Sequence, residues 1–115
     1  MKYIKEYNEV NDMSKLEDLS EYLQEIFDKY SILYVDNPPY RDNINSNTWC
    51  FGRVGKSKLI EPMIQIDFTM VDRDSREQYY TFREDLGDIT PQIEKRIGSK
   101  LRINKFPSGR ILIRL

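Results

Sequence analysis

The chain has 115 residues, 39% of them hydrophobic and 32% charged, which is one domain's worth of sequence with enough apolar material for a core. Its eight Tyr, five Phe and one Trp exclude a disordered chain, because disordered chains are poor in aromatics. With no histidine and one cysteine, it can form neither a Ser-His-Asp or Cys-His site nor an internal disulfide, and its net charge of −1 gives the whole molecule no pull toward nucleic acid.

Residues 1–12 read as a polar lead-in with a short strand around Tyr3-Ile4. No apolar run follows the N-terminus, so no signal peptide is expected, and no stretch approaches the ~20 apolar residues of a spanning helix. Ser14 and Glu17 form a Ser-x-x-Glu capping box, which predicts a helix from there to about Tyr30. Leu16, Leu19, Leu23, Ile26, Phe27 and Tyr30 are its apolar stripe, at spacings of three and four. Ile32 to Val35 reads as a short strand stopped by Asp36-Asn37-Pro38-Pro39. Residues 40–47 form a polar, Asn-rich loop. Thr48–Val54 is the next strand, and Gly55-Lys56-Ser57-Lys58 a turn.

Ile60–Val71 carries the clearest strand signature. Ile64, Ile66, Phe68 and Met70 alternate with Gln65, Asp67 and Thr69, the period-two pattern of a half-buried strand. Residues 76–85 admit two readings. Tyr79-Tyr80-Thr81-Phe82 favours a strand by propensity, and we read it so. The alternative is a helix capped at Asp74 and Glu77 and interrupted near Gly87, with Tyr79, Phe82, Leu86, Ile89, Ile93 and Ile97 on one face. Thr90-Pro91 then starts a helix, and Gly98 stops it. The chain closes in a hairpin, Leu101–Phe106 and Arg110–Leu115 around Pro107-Ser108-Gly109. The expected fold is a single α+β domain over 1–115, a mainly antiparallel sheet packed against the N-terminal amphipathic helix and a second, shorter helix.

Few residues offer chemistry. Cys50, between Trp49 and Phe51, reads as a buried small hydrophobe. Gly52-Arg53-Val54-Gly55-Lys56-Ser57 departs from a phosphate loop, since Cys50 stands where its first glycine belongs. Asp67, Asp72, Asp74 and Glu77 form a local acidic group. It fails as a calcium loop at Arg76, Glu77 and Arg83 and reads as a solvated turn. We therefore expect no enzyme, no metal and no cofactor.

Charge is polarised along the chain. Residues 1–30 hold four cations and eight acids, and residues 93–115 hold seven cations and one acid. The basic segment could meet phosphate or face the acidic first helix, within the fold or across a subunit boundary; nucleic acid is not the favoured partner. The loop 38–47 is long for so small a domain. Tyr40 and Arg41 within it are residue types favoured in binding hot spots. With Arg102, Lys105, Arg110 and Arg114 of the basic segment, they are the interface candidates.

The first helix, Leu33-Tyr34-Val35-Asp36-Asn37-Pro38-Pro39, the strand around Trp49 and Met63–Phe68 together resemble the layout of small phage proteins that complete the head–tail junction or terminate the tail. The resemblance lies in the order of elements over most of the chain. It implies a non-catalytic, ring-forming subunit, a homo-oligomer with head-to-tail contacts, in the virion or the host cytoplasm. The reducing compartment suits the lone cysteine. The alternative is a small phage or bacterial regulator that binds a host protein or nucleic acid. Neither reading involves a membrane.

Overall fold

A computed structural model of the chain describes residues 2–40, 44–54 and 61–115. Seven elements follow in order: α1 (Lys2–Lys29), β1 (Leu33–Tyr34), β2 (Thr48–Val54), β3 (Glu61–Asp67), α2 (Arg73–Ile97), β4 (Arg102–Lys105) and β5 (Arg110–Arg114). The strands form one sheet in the order β1-β2-β3-β5-β4. Its pairs are antiparallel except β1 with β2, which run parallel. The class is α+β, as the sequence predicts.

α1 buries Leu16, Leu19, Leu23, Ile26, Phe27 and Tyr30, the predicted stripe. It starts earlier than expected. Residues 2–12 are helical rather than a lead-in with a strand at Tyr3-Ile4, and Ser14 lies inside the helix instead of capping it. Ile4, Tyr7, Val10 and Met13 continue the three-residue spacing back from Leu16, and Lys2, Lys5, Glu6 and Glu9 are good helix formers, so the helix extends through this stretch. α1 ends on Ser31, at φ 53°. The Ile32 N–H donates to the Phe27 carbonyl at 2.8 Å, the bond of a left-handed helix cap.

The helices cover one face of the sheet. Register places Trp49, Ile66 and Ile111 in one row and Phe51, Ile64 and Ile113 in the next. Both rows join the helix stripes in one core cluster, although Phe51 is only partly buried. Phe27 stacks on Trp49 with centroids 5.0 Å apart, and Phe68 meets Tyr79 and Phe82. Burial on both faces makes β3 the centre of the sheet. Gln65 and Asp67, expected on a solvated face, are buried like Ile64 and Ile66. Cys50, Met63 and Ile44 are buried too, yet lie outside the helix-side cluster. β3 ends at Asp67, short of the expected Val71, and Met70 turns the chain at φ 55°.

The segment 76–85 is helix, not strand. α2 runs unbroken for 25 residues, through Gly87 and with Pro91 inside it. Its cap is Asp72, which accepts from the Ser75 N–H at 2.8 Å. The strand reading puts Tyr80 and Phe82 on one side. Here Tyr79, Phe82, Leu86 and Ile93 are buried while Tyr80 is exposed, so tertiary packing overrides the β propensity of Tyr-Tyr-Thr-Phe. Thr90-Pro91 is thus no helix start. Pro91 has no N–H for the Gly87 carbonyl, and Thr90 Oγ1 donates to the Leu86 carbonyl at 2.6 Å. Gly98 caps the helix at φ 71°, as expected. The C-terminal hairpin also forms where predicted.

Asn47 ties the layers together. Its amide donates to the Tyr30 carbonyl and to Gln78 Oε1, and its Oδ1 accepts from the Thr69 N–H. One side chain thus joins the end of α1, the start of α2 and the exit of β3.

Candidate functional site

Three of the predicted residues share one face. Alternation along β5 points Arg110 and Arg114 to the side of the sheet away from the helices, and register sets Arg102 of β4 opposite Arg114. Arg102 donates to the Leu115 main-chain oxygen through Nε at 3.0 Å and Nη2 at 2.7 Å. Arg114 Nη2 donates to Asn104 Oδ1 at 2.8 Å. Two cations directly opposite each other repel, so this corner of the sheet favours an anionic neighbour.

Arg110 has a structural task. Its Nε donates to Asp67 Oδ1 at 2.8 Å, and Gln65 Nε2 donates to Asp67 Oδ2 at 2.9 Å. Asp67 is only 1% exposed, so this pair fixes the β3–β5 junction. Lys105 is exposed on the edge strand, opposite Ile111, which places it on the other side of the sheet from the three arginines. Tyr40 is 83% exposed on the connection from β1 to β2. Arg41, like the turn 55–58, lies outside the described residues. The basic candidates therefore gather on the β4–β5 hairpin, with Tyr40 on a separate connection.

The acids gather on the opposite side of the molecule. Glu17, Asp18, Glu21, Glu25 and Asp28 are all exposed on α1. Between α1 and α2 lies a groove of about 670 Å³, which the sequence reading missed. Ile26, Ile89 and Ile93 form its apolar floor; Glu25, Asp85, Asp88, Lys29 and Arg96 supply its charges. Three of those charges are engaged. Lys29 donates to Asp85 at 2.9 Å, and Arg96 sits 5.4 Å from the Tyr22 ring centroid. The signal for the groove was the helical period of Leu86, Ile89 and Ile93, which lost to the strand reading upstream.

Burial and hydrogen bonds shift Tyr30, Asp85, Cys50 and Asp72. Burial, then the bond it donates to Asp85 at 2.7 Å, pushes the Tyr30 hydroxyl up to about 12. That bond, and the one from Lys29, lower Asp85. Burial pushes the Cys50 thiol up to about 11. The acidic group read from the sequence is spread out: Asp67 is on β3 with Arg110, and Asp72 caps α2, lowered by its bonds from Ser75.

Comparison of the chain with family models, with curated proteins and with solved structures returns no match. Among the described residues, no helix is long and apolar enough to cross a membrane.

Proposed function

We propose that the chain is a non-catalytic assembly subunit, one that joins copies of itself head to tail into a ring within a phage head–tail or tail complex. One observation carries this reading. Exposed acids line the outer side of α1, and Arg102 and Arg114 lie together on the far side of the sheet. Unlike patches on one chain make heterologous contacts, and a heterologous contact whose rotation closes on itself forms a ring. Charge then sets register and specificity more than affinity.

Two further points support it. The element order up to α2, one long helix, a short strand, two longer strands and a second helix, agrees with the layout such subunits share, which ends in one strand where this chain has β4 and β5. Two groups with catalytic chemistry are otherwise occupied: Cys50 is buried with its thiol pushed up to about 11, and Asp67 is held by Arg110 and Gln65. The working place that follows is the virion or the host cytoplasm.

Sedimentation of the purified chain tests the proposal. The expected result is a concentration-dependent oligomer that Arg102→Glu together with Arg114→Glu weakens. An oligomer unmoved by this double change sinks the charge argument. A second reading, a small regulator that binds nucleic acid, draws on the adjacent Arg102 and Arg114. It predicts retention of labelled DNA or RNA at about 50 mM salt, lost as salt rises.

A further inference from the structure

β4 is an edge strand, and its register shows which of its main-chain groups stay open. The Phe106 N–H donates to the Arg110 carbonyl at 2.8 Å. Ladder bonds alternate along an antiparallel pair, so those from β4 to β5 fall at Asn104 and Arg102. Ile103 and Lys105 therefore turn their N–H and C=O groups outward, away from β5. Among the described residues nothing pairs with these groups, because β4 ends the sheet. The other edge, β1, offers less. Its Leu33 N–H donates to the Asn47 carbonyl at 2.9 Å and the Val35 N–H to the Trp49 carbonyl at 3.0 Å, which leaves Tyr34 to face outward.

The side chains along the β4 edge carry one sign. Lys100, Arg102 and Lys105 are exposed on it, and Arg114 lies opposite Arg102 on β5. Glu94, the nearest acid in the sequence, already accepts from the Leu101 N–H at 2.8 Å. Cations keep an edge strand from pairing with its own kind, since two copies of β4 laid side by side bring like charges together. The same cations favour an edge partner of opposite charge. Alternation sets the pattern such a partner needs. Arg102 and Asn104 face the side away from the helices, and the half-buried Ile103 faces the helix side.

We propose that β4 is a docking edge for an acidic, extended segment of another protein, which adds a strand to the five-stranded sheet. The open N–H and C=O groups of Ile103 and Lys105 hold its main chain. Its carboxylates lie beside Arg102 and Arg114, and its apolar residues beside Ile103. Main-chain bonds give an added strand its affinity, and the alternation of side chains gives its specificity. The inference goes beyond the ring reading, because a single copy of the chain is enough for it.

The probe is an acetylated and amidated peptide of alternating Glu and Val, about seven residues long. It is titrated into the full-length protein at about 50 mM salt, where screening is weak. Main-chain amide NMR signals and hydrogen exchange read the outcome. The expected result is saturable binding with slower exchange at the Ile103 and Lys105 amides. Replacing each Glu by Lys is expected to weaken binding at least about tenfold, and so is N-methylating the peptide's main chain. The second change keeps every charge and isolates the strand pairing. No binding up to about 1 mM peptide, or retention of labelled RNA in its place, overturns the proposal. Binding that survives N-methylation overturns it too, because charge attraction alone then explains the contact. Slower exchange at Tyr34 instead of Ile103 and Lys105 does the same, by moving the docking edge to β1.

Discussion

Gly109 closes the last hairpin at φ 98°, where a Cβ would come within 2.5 Å of Met70 Cγ and 2.9 Å of the Phe68 carbonyl oxygen. Gly109→Ala combines backbone strain with a clash against main chain, so we expect a loss of at least ~2 kcal/mol in urea melts. Asp67 is the other sensitive point. Asp67→Ala leaves Arg110 and Gln65 without their acceptor inside the sheet, and it should cost about 3 kcal/mol by the same measurement. Tyr30 gives a pH signature. Its hydroxyl ionises at about 12 in the folded chain against 10.0 unfolded, so the folded state holds the proton longer. That contribution is fully present below pH 10.0 and is lost as pH rises toward about 12. Tyr30→Phe should therefore flatten the alkaline fall in stability over that window. It should also lose roughly 1 kcal/mol at neutral pH with the bond to Asp85.

At the scale of elements, the two helices contain positions that are not optimal for stability. Ser31 holds φ 53° and is exposed, so Ser31→Gly should relieve strain and stabilise the end of α1 by up to ~1 kcal/mol. Gly87 sits inside α2 with nothing within 4 Å of an added Cβ; Gly87→Ala should gain roughly 0.5–1 kcal/mol. Both shifts are measurable as changes in the urea midpoint. These positions also explain what the sequence left illegible. The stripe of α1 from Leu16 to Tyr30 was readable because one face alone is apolar, and the hairpin because Gly109 marks its turn. α2 was not, because Gly87 and Pro91 look like boundaries and Tyr79-Tyr80-Thr81-Phe82 looks like a strand. Burial of Tyr79, Phe82, Leu86 and Ile93 against the sheet outweighs all three local signals. Gln65 and Asp67 misled in the opposite sense. A polar face reads as solvated, but theirs is satisfied by one another and by Arg110.

At the scale of the whole molecule, part of the charge polarity visible along the chain becomes polarity in space, while Arg96 lines the groove beside α1 and Lys105 faces the helix side of the sheet. The topology carries it: α1 lies on one face of the sheet, and β4 and β5 turn Arg102, Arg110 and Arg114 to the other. The sequence marked those arginines as one patch, and it had no means of separating Arg110, which is held by Asp67, from the other two. Nor could it locate the groove, which exists only once the last turns of α1 pack beside the middle of α2. The central claim is that these unlike faces join copies of the chain. Native mass measurement across protein concentration, at about 50 mM and about 500 mM salt, tests it most directly, because exposed charge pairs weaken as salt rises. The expected result is a defined multimer at high concentration and low salt that dissociates as salt rises. A strict monomer under every condition, with no assembly induced by a partner, would contradict it.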